Sequence, residues 1–200
     1  QNGKKNAWKR DTLGYAPAKE VYVDGDNPFL MGSSVVAQAT VKGSRAEASA
    51  MWHPVIPEDG DYAVYVAYRT YENSIPDACY TVVHAGGSTV YKVNQAMGGG
   101  TWVYLGTHTF NAGEKQQGVV LNSVSGHNGV VSADAVRFGG GMGCVARGPQ
   151  EQLSGLPRYL EGARYNLLTG GFPYEVYSVY KGESDYRDDV VCRPSAVNYL

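Results

Sequence analysis

Hydrophobic and polar positions alternate along most of the chain, in short runs separated by turn residues, as is typical of β-strands. The clearest run is Asp61–Thr70. Its apolar and aromatic side chains share one face at a period of two: Tyr62, Val64, Val66 and Tyr68. The opposite face carries Ala63, Tyr65, Ala67 and Arg69, which suits a strand with one face on a core and the other partly wet.

Strands of this kind, separated by turns, fill the chain from Glu20 to Phe138 at the spacing of β-sandwiches. The predicted strands are Glu20–Val23, Ala46–Ile56, Asp61–Thr70, Ala78–Ala85, Ser88–Gln95, Thr101–Phe110, Gly118–Val124 and Val130–Phe138. Pro57–Gly60 and Gly86-Gly87 are hairpin signals. The sequence therefore predicts a mainly β fold, a jelly-roll-like antiparallel β-sandwich over residues 20–139.

The pattern changes after the glycine-rich linker Gly139–Gly143. Apolar residues then recur at helical spacing, namely Leu153, Leu156, Leu160, Ala163 and Leu167. Ser154 is the predicted N-cap and Gly170-Gly171 the predicted stop, and Tyr174–Tyr180 is predicted as a strand. One helix and one strand cannot bury a core alone, so this extension, residues 140–200, must pack on the sandwich or on a partner. Residues 1–19 form a polar, basic N-terminal segment.

Composition excludes two classes of partner. Only 18% of residues are charged, 17 basic against 19 acidic, which leaves no basic field for nucleic acid. No run approaches 18 apolar residues, so no membrane insertion is expected. The 16 Tyr and 26 Gly agree with short strands and many turns.

Residues with redox, nucleophilic or metal-binding chemistry are few and scattered. Cys79, Cys144 and Cys192 have no CxxC spacing, and a Cys144–Cys192 disulfide is one open alternative. The four histidines make no HExxH motif, and no G-x-S-x-G elbow is present. The sequence therefore contains no complete catalytic constellation.

Two kinds of binding site are candidates. Asp134 lies inside a predicted strand, where Asp is disfavoured, so it either hydrogen bonds a turn or binds calcium with loop oxygens such as Asp24 or Asp26. Sugar rings stack their C–H faces on aromatic side chains. The candidate platforms are Tyr71 in a polar loop and Trp102 and Tyr104 after the triple glycine; the alternative for Trp102 is a place in the core.

The central part of the chain resembles the golvesin and xanthan-lyase C-terminal-like domains. The matching motifs follow one another in order: Tyr80–Gly87 (YTVVHAGG), Val93–Gln95 (VNQ), Gly99–Trp102 (GGTW), Leu105–Thr107 (LGT) with Phe110, and Ala133–Phe138 (ADAVRF). The resemblance implies a β-sandwich accessory domain, similar to carbohydrate-binding modules, attached to secreted bacterial enzymes. Because His84 lies in this motif beside the Gly86-Gly87 turn, we expect it to have a structural role.

The tail resembles a second family, the middle of zinc-dependent N-acetylmuramoyl-L-alanine amidases. An acidic residue on a helix, a strand and a D…R…N series characterise that pattern, carried here by Glu161, Tyr174–Tyr180, Asp185, Arg193 and Asn198. The resemblance makes Glu161 a zinc ligand. The histidine-bearing segments that would complete the site are absent, so residues 140–200 would be part of an incomplete host domain.

Three functions follow as alternatives. The first is a non-catalytic accessory module that binds a polysaccharide or peptidoglycan. The second is a fragment of an amidase-like zinc hydrolase, and the third is a structural spacer. In each case we expect a secreted, periplasmic or cell-surface location and a larger parent chain, a polysaccharide lyase or cell-wall hydrolase, with calcium as the one cofactor the residues suggest.

Overall fold

A computed structural model describes residues 8–17, 19–44, 47–139, 144–147, 150–153 and 161–200. The strands are β1 (Lys9–Arg10), β2 (Val21–Tyr22), β3 (Val35–Gln38), β4 (Ser49–Trp52), β5 (Gly60–Val66), β6 (Ala78–His84), β7 (Gly87–Val93), β8 (Val103–Phe110), β9 (Gly118–Asn122), β10 (Val130–Ala133), β11 (Val136–Phe138), β12 (Cys144–Arg147) and β13 (Gln152–Leu153). The α-helices are α1 (Ala163–Thr169), α2 (Tyr174–Tyr177) and α3 (Asp185–Tyr199), and Pro28–Leu30 is a 3₁₀ turn. None of the helices in these ranges is long and apolar enough to span a bilayer.

Ten of the thirteen strands that the structure describes form a β-sandwich with one hydrophobic core, while β13, β12 and β2 form a separate three-stranded sheet. One sheet is antiparallel with the order β4-β9-β6-β7, and the other layer contains the sheets β1-β3-β10 and β11-β5-β8. Strands β10 and β11 follow one another in the chain and join that second layer. The alternation predicted for Asp61–Thr70 is confirmed, because Val64 and Val66 are fully buried in the same core as Tyr80, Phe110 and Val131.

The two predicted hairpins have different outcomes. The β6–β7 hairpin is confirmed, with Val83 opposite Ser88. The hairpin predicted at Pro57–Gly60 is wrong, because β4 pairs with β9 while β5 pairs with β8 in the other layer. The turn residues there serve a crossover between layers, and a turn signal alone does not specify which strand the chain pairs with next.

The N-terminal segment is part of the sandwich edge. Strand β1 pairs with β3, and the Ser34 N–H donates to Leu13 O at 3.0 Å. A Cβ at Gly14 would lie 2.4 Å from the Ser33 carbonyl carbon, so this close backbone approach requires glycine. The polar residues predicted as a separate segment therefore supply an edge strand from position 9.

The tail is helical where a strand was predicted. Tyr174–Tyr180 begins with helix α2, which places the Tyr177 ring in a small core with Tyr22, Tyr165, Leu168 and Cys192. The strand prediction is wrong because one helical turn lets the Tyr177 hydroxyl accept the Gly25 N–H at 2.7 Å. Such a long-range bond leaves no signal in local alternation.

The helix predicted from Leu153 starts later in the structure. Leu153 belongs to β13 and α1 begins at Ala163. The predicted N-cap, Ser154, lies outside the described residues, whereas Gly170 caps the C-terminus of α1 as predicted. Cys192 is a free, buried thiol, so the Cys144–Cys192 disulfide is not formed.

Arg164 joins the tail to the turn after β2. Its guanidinium, 5% exposed, lies 2.7 Å from Asp24, 3.2 Å from Asp185 and 3.8 Å from the fully buried Asp188. A buried cation with several carboxylates fixes its surroundings because breaking the group leaves charges uncompensated. Gly171 (φ +86°) adds a second attachment, since its carbonyl accepts the Asn27 side-chain amide at 3.2 Å.

Candidate glycan-binding surface

A row of three side chains crosses the outer face of the β11-β5-β8 sheet. Arg137 lies opposite Tyr65, and Tyr65 lies opposite Tyr104. The Arg137 guanidinium carbon is 3.9 Å from the centre of the Tyr65 ring, and the Tyr65 and Tyr104 ring centres are 5.3 Å apart. These are cross-strand neighbours in contact, and we call them the aromatic row.

Strand alternation explains why the aromatic row faces outward. Tyr65 lies between the fully buried Val64 and Val66, and Tyr104 precedes the buried Leu105. Successive side chains of a strand point to opposite faces, so the neighbours in the core fix the row on the other side. Tyr104 is 54% exposed, because β8 is an edge strand of its sheet.

Trp102 supports one end of the row. Its half-buried ring packs against Tyr15 at 5.0 Å and Phe29 at 5.3 Å, and the Arg137 guanidinium lies 5.2 Å from it. The N-terminal segment and the 3₁₀ turn therefore cover much of this indole. Trp102 holds Arg137 and is not an exposed platform.

Tyr104 lies at the open end of the row, beside a groove between the edge strands β7 and β8. The groove has a volume of about 370 Å³, and Tyr91, Lys92 and Met97 are among its lining residues with Tyr104. The Tyr104 hydroxyl and Thr107 Oγ1 are 2.8 Å apart. This end offers a ring face, hydroxyl groups and space, the combination that sugar binding uses.

Tyr71, the third predicted platform, is not part of this surface. Its hydroxyl donates to Asp11, and Arg69 lies both over its ring at 5.3 Å and 2.7 Å from Asp11. Burial, with the Asp11 hydrogen bond, raises the pKa of Tyr71 to about 12. The phenol therefore anchors the N-terminal segment, so the structure brings Trp102 and Tyr104 together through Tyr65 and Arg137 but places Tyr71 elsewhere.

The predicted calcium ligands have separate partners. Asp134 lies between β10 and β11, where its carboxylate accepts the Tyr15 N–H at 2.9 and 3.0 Å. A hydrogen bond of this kind was one of the two alternatives that the sequence offered for Asp134. Burial raises the pKa of Asp134 to about 6, and the bond from Tyr15 opposes that shift. Asp24 pairs with Arg164, and Asp26 with Lys19 at 2.6 Å.

Glu161, the predicted zinc ligand, is a buried residue two positions before the start of α1 and not inside a helix. Among the residues that the structure describes, no group of three or more His, Cys, Asp or Glu side chains is placed to hold a metal ion. His84 is structural as predicted, since its Nδ1 accepts the Gly86 N–H at 3.2 Å and its Nε2 lies 3.0 Å from Thr89 Oγ1.

A second cavity, of about 510 Å³, lies between the turn after β2 and the tail. Lys181, Glu183 and Glu151 line it together with Asp24 and Arg164. Asp24 and Arg164 pair with each other, so this cavity contains the attachment of the tail.

Two residues of the row, Tyr65 and Arg137, are absent from the sequence-based candidates. Both were visible as outward positions, Tyr65 by its place opposite the apolar face of Asp61–Thr70 and Arg137 by its place between Val136 and Phe138. What the sequence does not contain is the register that sets Tyr65 between Arg137 and Tyr104.

Comparison with known proteins agrees with this fold. Residues 31–140, more than half of the chain, match the Golvesin C-terminal domain. A xanthan lyase from Bacillus sp. (strain GL1) is 36% identical over 91 residues, which are 45% of this chain and 10% of that protein. The solved structure of Paenibacillus xanthan lyase superposes with a TM-score of 0.51 at 29% identity, covering 66% of this chain and 11% of that one.

The chain thus spans about a tenth of the length of the two xanthan lyases that it resembles. The matched residues run from the end of the 3₁₀ turn through β11 and contain the sandwich strands β3 to β11 with the whole aromatic row. Because this family model matches more than half of the chain, the chain belongs to the Golvesin C-terminal domain family.

Proposed function

We propose that this chain is a non-catalytic, glycan-binding accessory module of a larger extracellular protein. The observation that carries the proposal is the aromatic row, whose outer member Tyr104 is 54% exposed beside a groove. The row consists of two phenol rings and a guanidinium, without a carboxylate or a nucleophile, so its chemistry is that of binding. The similarity to two xanthan lyases supports a polysaccharide ligand and an extracellular location.

The row suits sugars for a physical reason. The C–H faces of a sugar ring are apolar and pack on an aromatic face, while the hydroxyl groups at its edge need polar partners. Tyr104 supplies the face, and its own hydroxyl and Thr107 supply polar groups at 2.8 Å from one another. Since Tyr65 continues the row at 5.3 Å, a glycan chain has a second ring to follow across the sheet.

Replacing Tyr104 by Ala is expected to weaken glycan binding at least about tenfold, because exposed aromatic anchors dominate such surfaces. The measurement is affinity electrophoresis and isothermal titration calorimetry of the chain with xanthan, peptidoglycan and neutral β-glucan. Tyr186→Ala is the matched control, since Tyr186 is 78% exposed on α3. Failure of the unmodified chain to bind any of these polymers would contradict the proposed function, and equal losses in both variants would contradict the assigned surface.

A further inference from the structure

Arg137 is a half-buried cation without a carboxylate partner among the described residues. Among the residues that the structure describes, no Asp or Glu lies within salt-bridge distance of it, although Arg164 in the tail has three. Burial lowers the pKa of Arg137, and the Tyr65 hydroxyl opposes that shift. Removing a guanidinium from water without a counter-ion is unfavourable, so this arrangement needs a compensating partner.

Two N–H donors at this place are buried and have no acceptor among the described residues: Arg137 Nε and Trp102 Nε1. Their side chains are neighbours, with 5.2 Å between the guanidinium carbon and the Trp102 ring centre. Buried donors are nearly always hydrogen bonded, and each unpaired one costs about 1–3 kcal/mol. The hydrogen-bonding capacity of the Arg137 end of the row is therefore not met by the described residues.

We propose that Arg137 binds a carboxylate of the glycan, so that the ligand is an acidic polysaccharide with uronate-like residues. This inference rests on the proposed function and adds the chemical class of the ligand. The guanidinium carbon lies 3.9 Å from the centre of the Tyr65 ring and 5.2 Å from the centre of the Trp102 ring, and these contacts restrict its position. A planar fork in a fixed orientation recognises the two oxygens of a carboxylate, which a flexible ammonium does not do as well.

The spacing of the row fits one acidic sugar followed by a stacked neighbour. Arg137 and Tyr104 are separated by two inter-strand steps, roughly 10 Å, since adjacent strands lie about 4.8 Å apart. A carboxylated sugar at Arg137 can therefore continue along Tyr65 to the exposed Tyr104. The chain has a formal net charge of −2, so a local cation, and not an overall field, would attract the acidic glycan.

The experiment compares acidic polymers with their neutral counterparts on the same chain. Polygalacturonate and alginate are each titrated beside the carboxyl-reduced form of the same polymer, which keeps the sugar hydroxyls and removes the charge. Binding to the acidic forms is expected to exceed binding to the reduced forms by roughly 10- to 100-fold, the range for a hydrogen bond to a charged group. Arg137→Gln is expected to abolish that difference, and Arg137→Lys to restore part of it.

Arg187→Gln is the matched control, because Arg187 also lies over a tyrosine ring, Tyr180 at 5.7 Å, but on the exposed face of α3. It should leave the acidic preference unchanged, and thermal unfolding of each variant checks that the fold is kept. Binding of polysaccharides without regard to their carboxylates, or an unchanged preference in Arg137→Gln, would overturn this inference and leave the proposed function standing. Absence of binding to every polymer, acidic or neutral, would instead overturn the proposed function itself.

Discussion

Replacing Arg164 by Met is expected to destabilise the C-terminal helices by about 3–5 kcal/mol, the cost of breaking a buried ion group by removing one partner. Asp188 is fully buried and Arg164 is its only cation within 4 Å among the described residues. Two backbone N–H groups, of Tyr180 and Gly182, also bind Asp188. Without the guanidinium, these bonds and a 3.4 Å contact from the Ser178 hydroxyl must hold a buried negative charge, so the turn between α2 and α3 should open.

Hydrogen–deuterium exchange of residues 161–200 measures this opening, with urea unfolding for its free energy. Arg193→Met is the matched control, since Arg193 is an exposed helix residue that pairs with Asp189 at 2.6 Å over one turn. Such a surface pair contributes only about 0.3–0.5 kcal/mol. Equal and small effects of the two substitutions would show that Arg164 does not hold the tail against the turn after β2.

Replacing Gln95 by Leu is expected to destabilise the sandwich by about 2–4 kcal/mol, because several buried polar groups lose their partner at once. The Gln95 side chain is fully buried after β7 and reaches β10 in the opposite layer. Its Oε1 accepts the Ser132 N–H at 2.8 Å, and its Nε2 donates to Ser132 O at 2.8 Å and to the Tyr80 hydroxyl at 3.0 Å. The side-chain amide thus pairs with β10 as a strand would, which gives the last residue of the VNQ motif a physical role.

Urea unfolding followed by tyrosine and tryptophan fluorescence measures that loss. Gln116→Leu makes the same chemical change at an exposed position in the loop before β9 and should change the free energy of unfolding by less than about 0.5 kcal/mol. A Gln95→Leu variant as stable as Gln116→Leu would mean that water replaces the amide between the layers.

Local alternation and turn residues predicted most of the central sandwich. Strands β5 and β6 follow the alternation closely, because each buries every second side chain in the core. Strand β3 was not predicted, since Val35–Gln38 is short and its place depends on pairing with both β1 and β10. Turn chemistry also gave no information on the crossover from β4 to β5, which is a property of the whole fold.

The tail was harder to predict because its elements depend on contacts distant in sequence. Helix α3 contains Pro194 and mixes charged and apolar residues without a clear apolar stripe, so its sequence resembles a polar loop. What stabilises the helices is the packing of Tyr165, Leu168 and Cys192 on Tyr22 of β2, together with the ion group around Arg164. The sequence does not show that Arg164 and its carboxylate partners lie together, because they come from distant parts of the chain.

The sequence identified only some of the residues of the candidate site. Exposed aromatic residues are a direct signal for sugar binding, and Tyr104 was found by it. Trp102 gave the same signal although its ring is packed against Tyr15 and Phe29. The position of Arg137 between Val136 and Phe138 indicated only that its side chain faces outward, and the absence of a carboxylate near it among the described residues became visible only in the fold.

The most direct test of the glycan-binding surface is chemical-shift mapping of the labelled chain during titration with oligogalacturonates. The surface described above predicts that the largest changes lie at Tyr65, Tyr104 and Arg137, on one face of the β11-β5-β8 sheet. Shifts concentrated on the β4-β9-β6-β7 sheet or on α3, with the aromatic row unchanged at saturation, would contradict it.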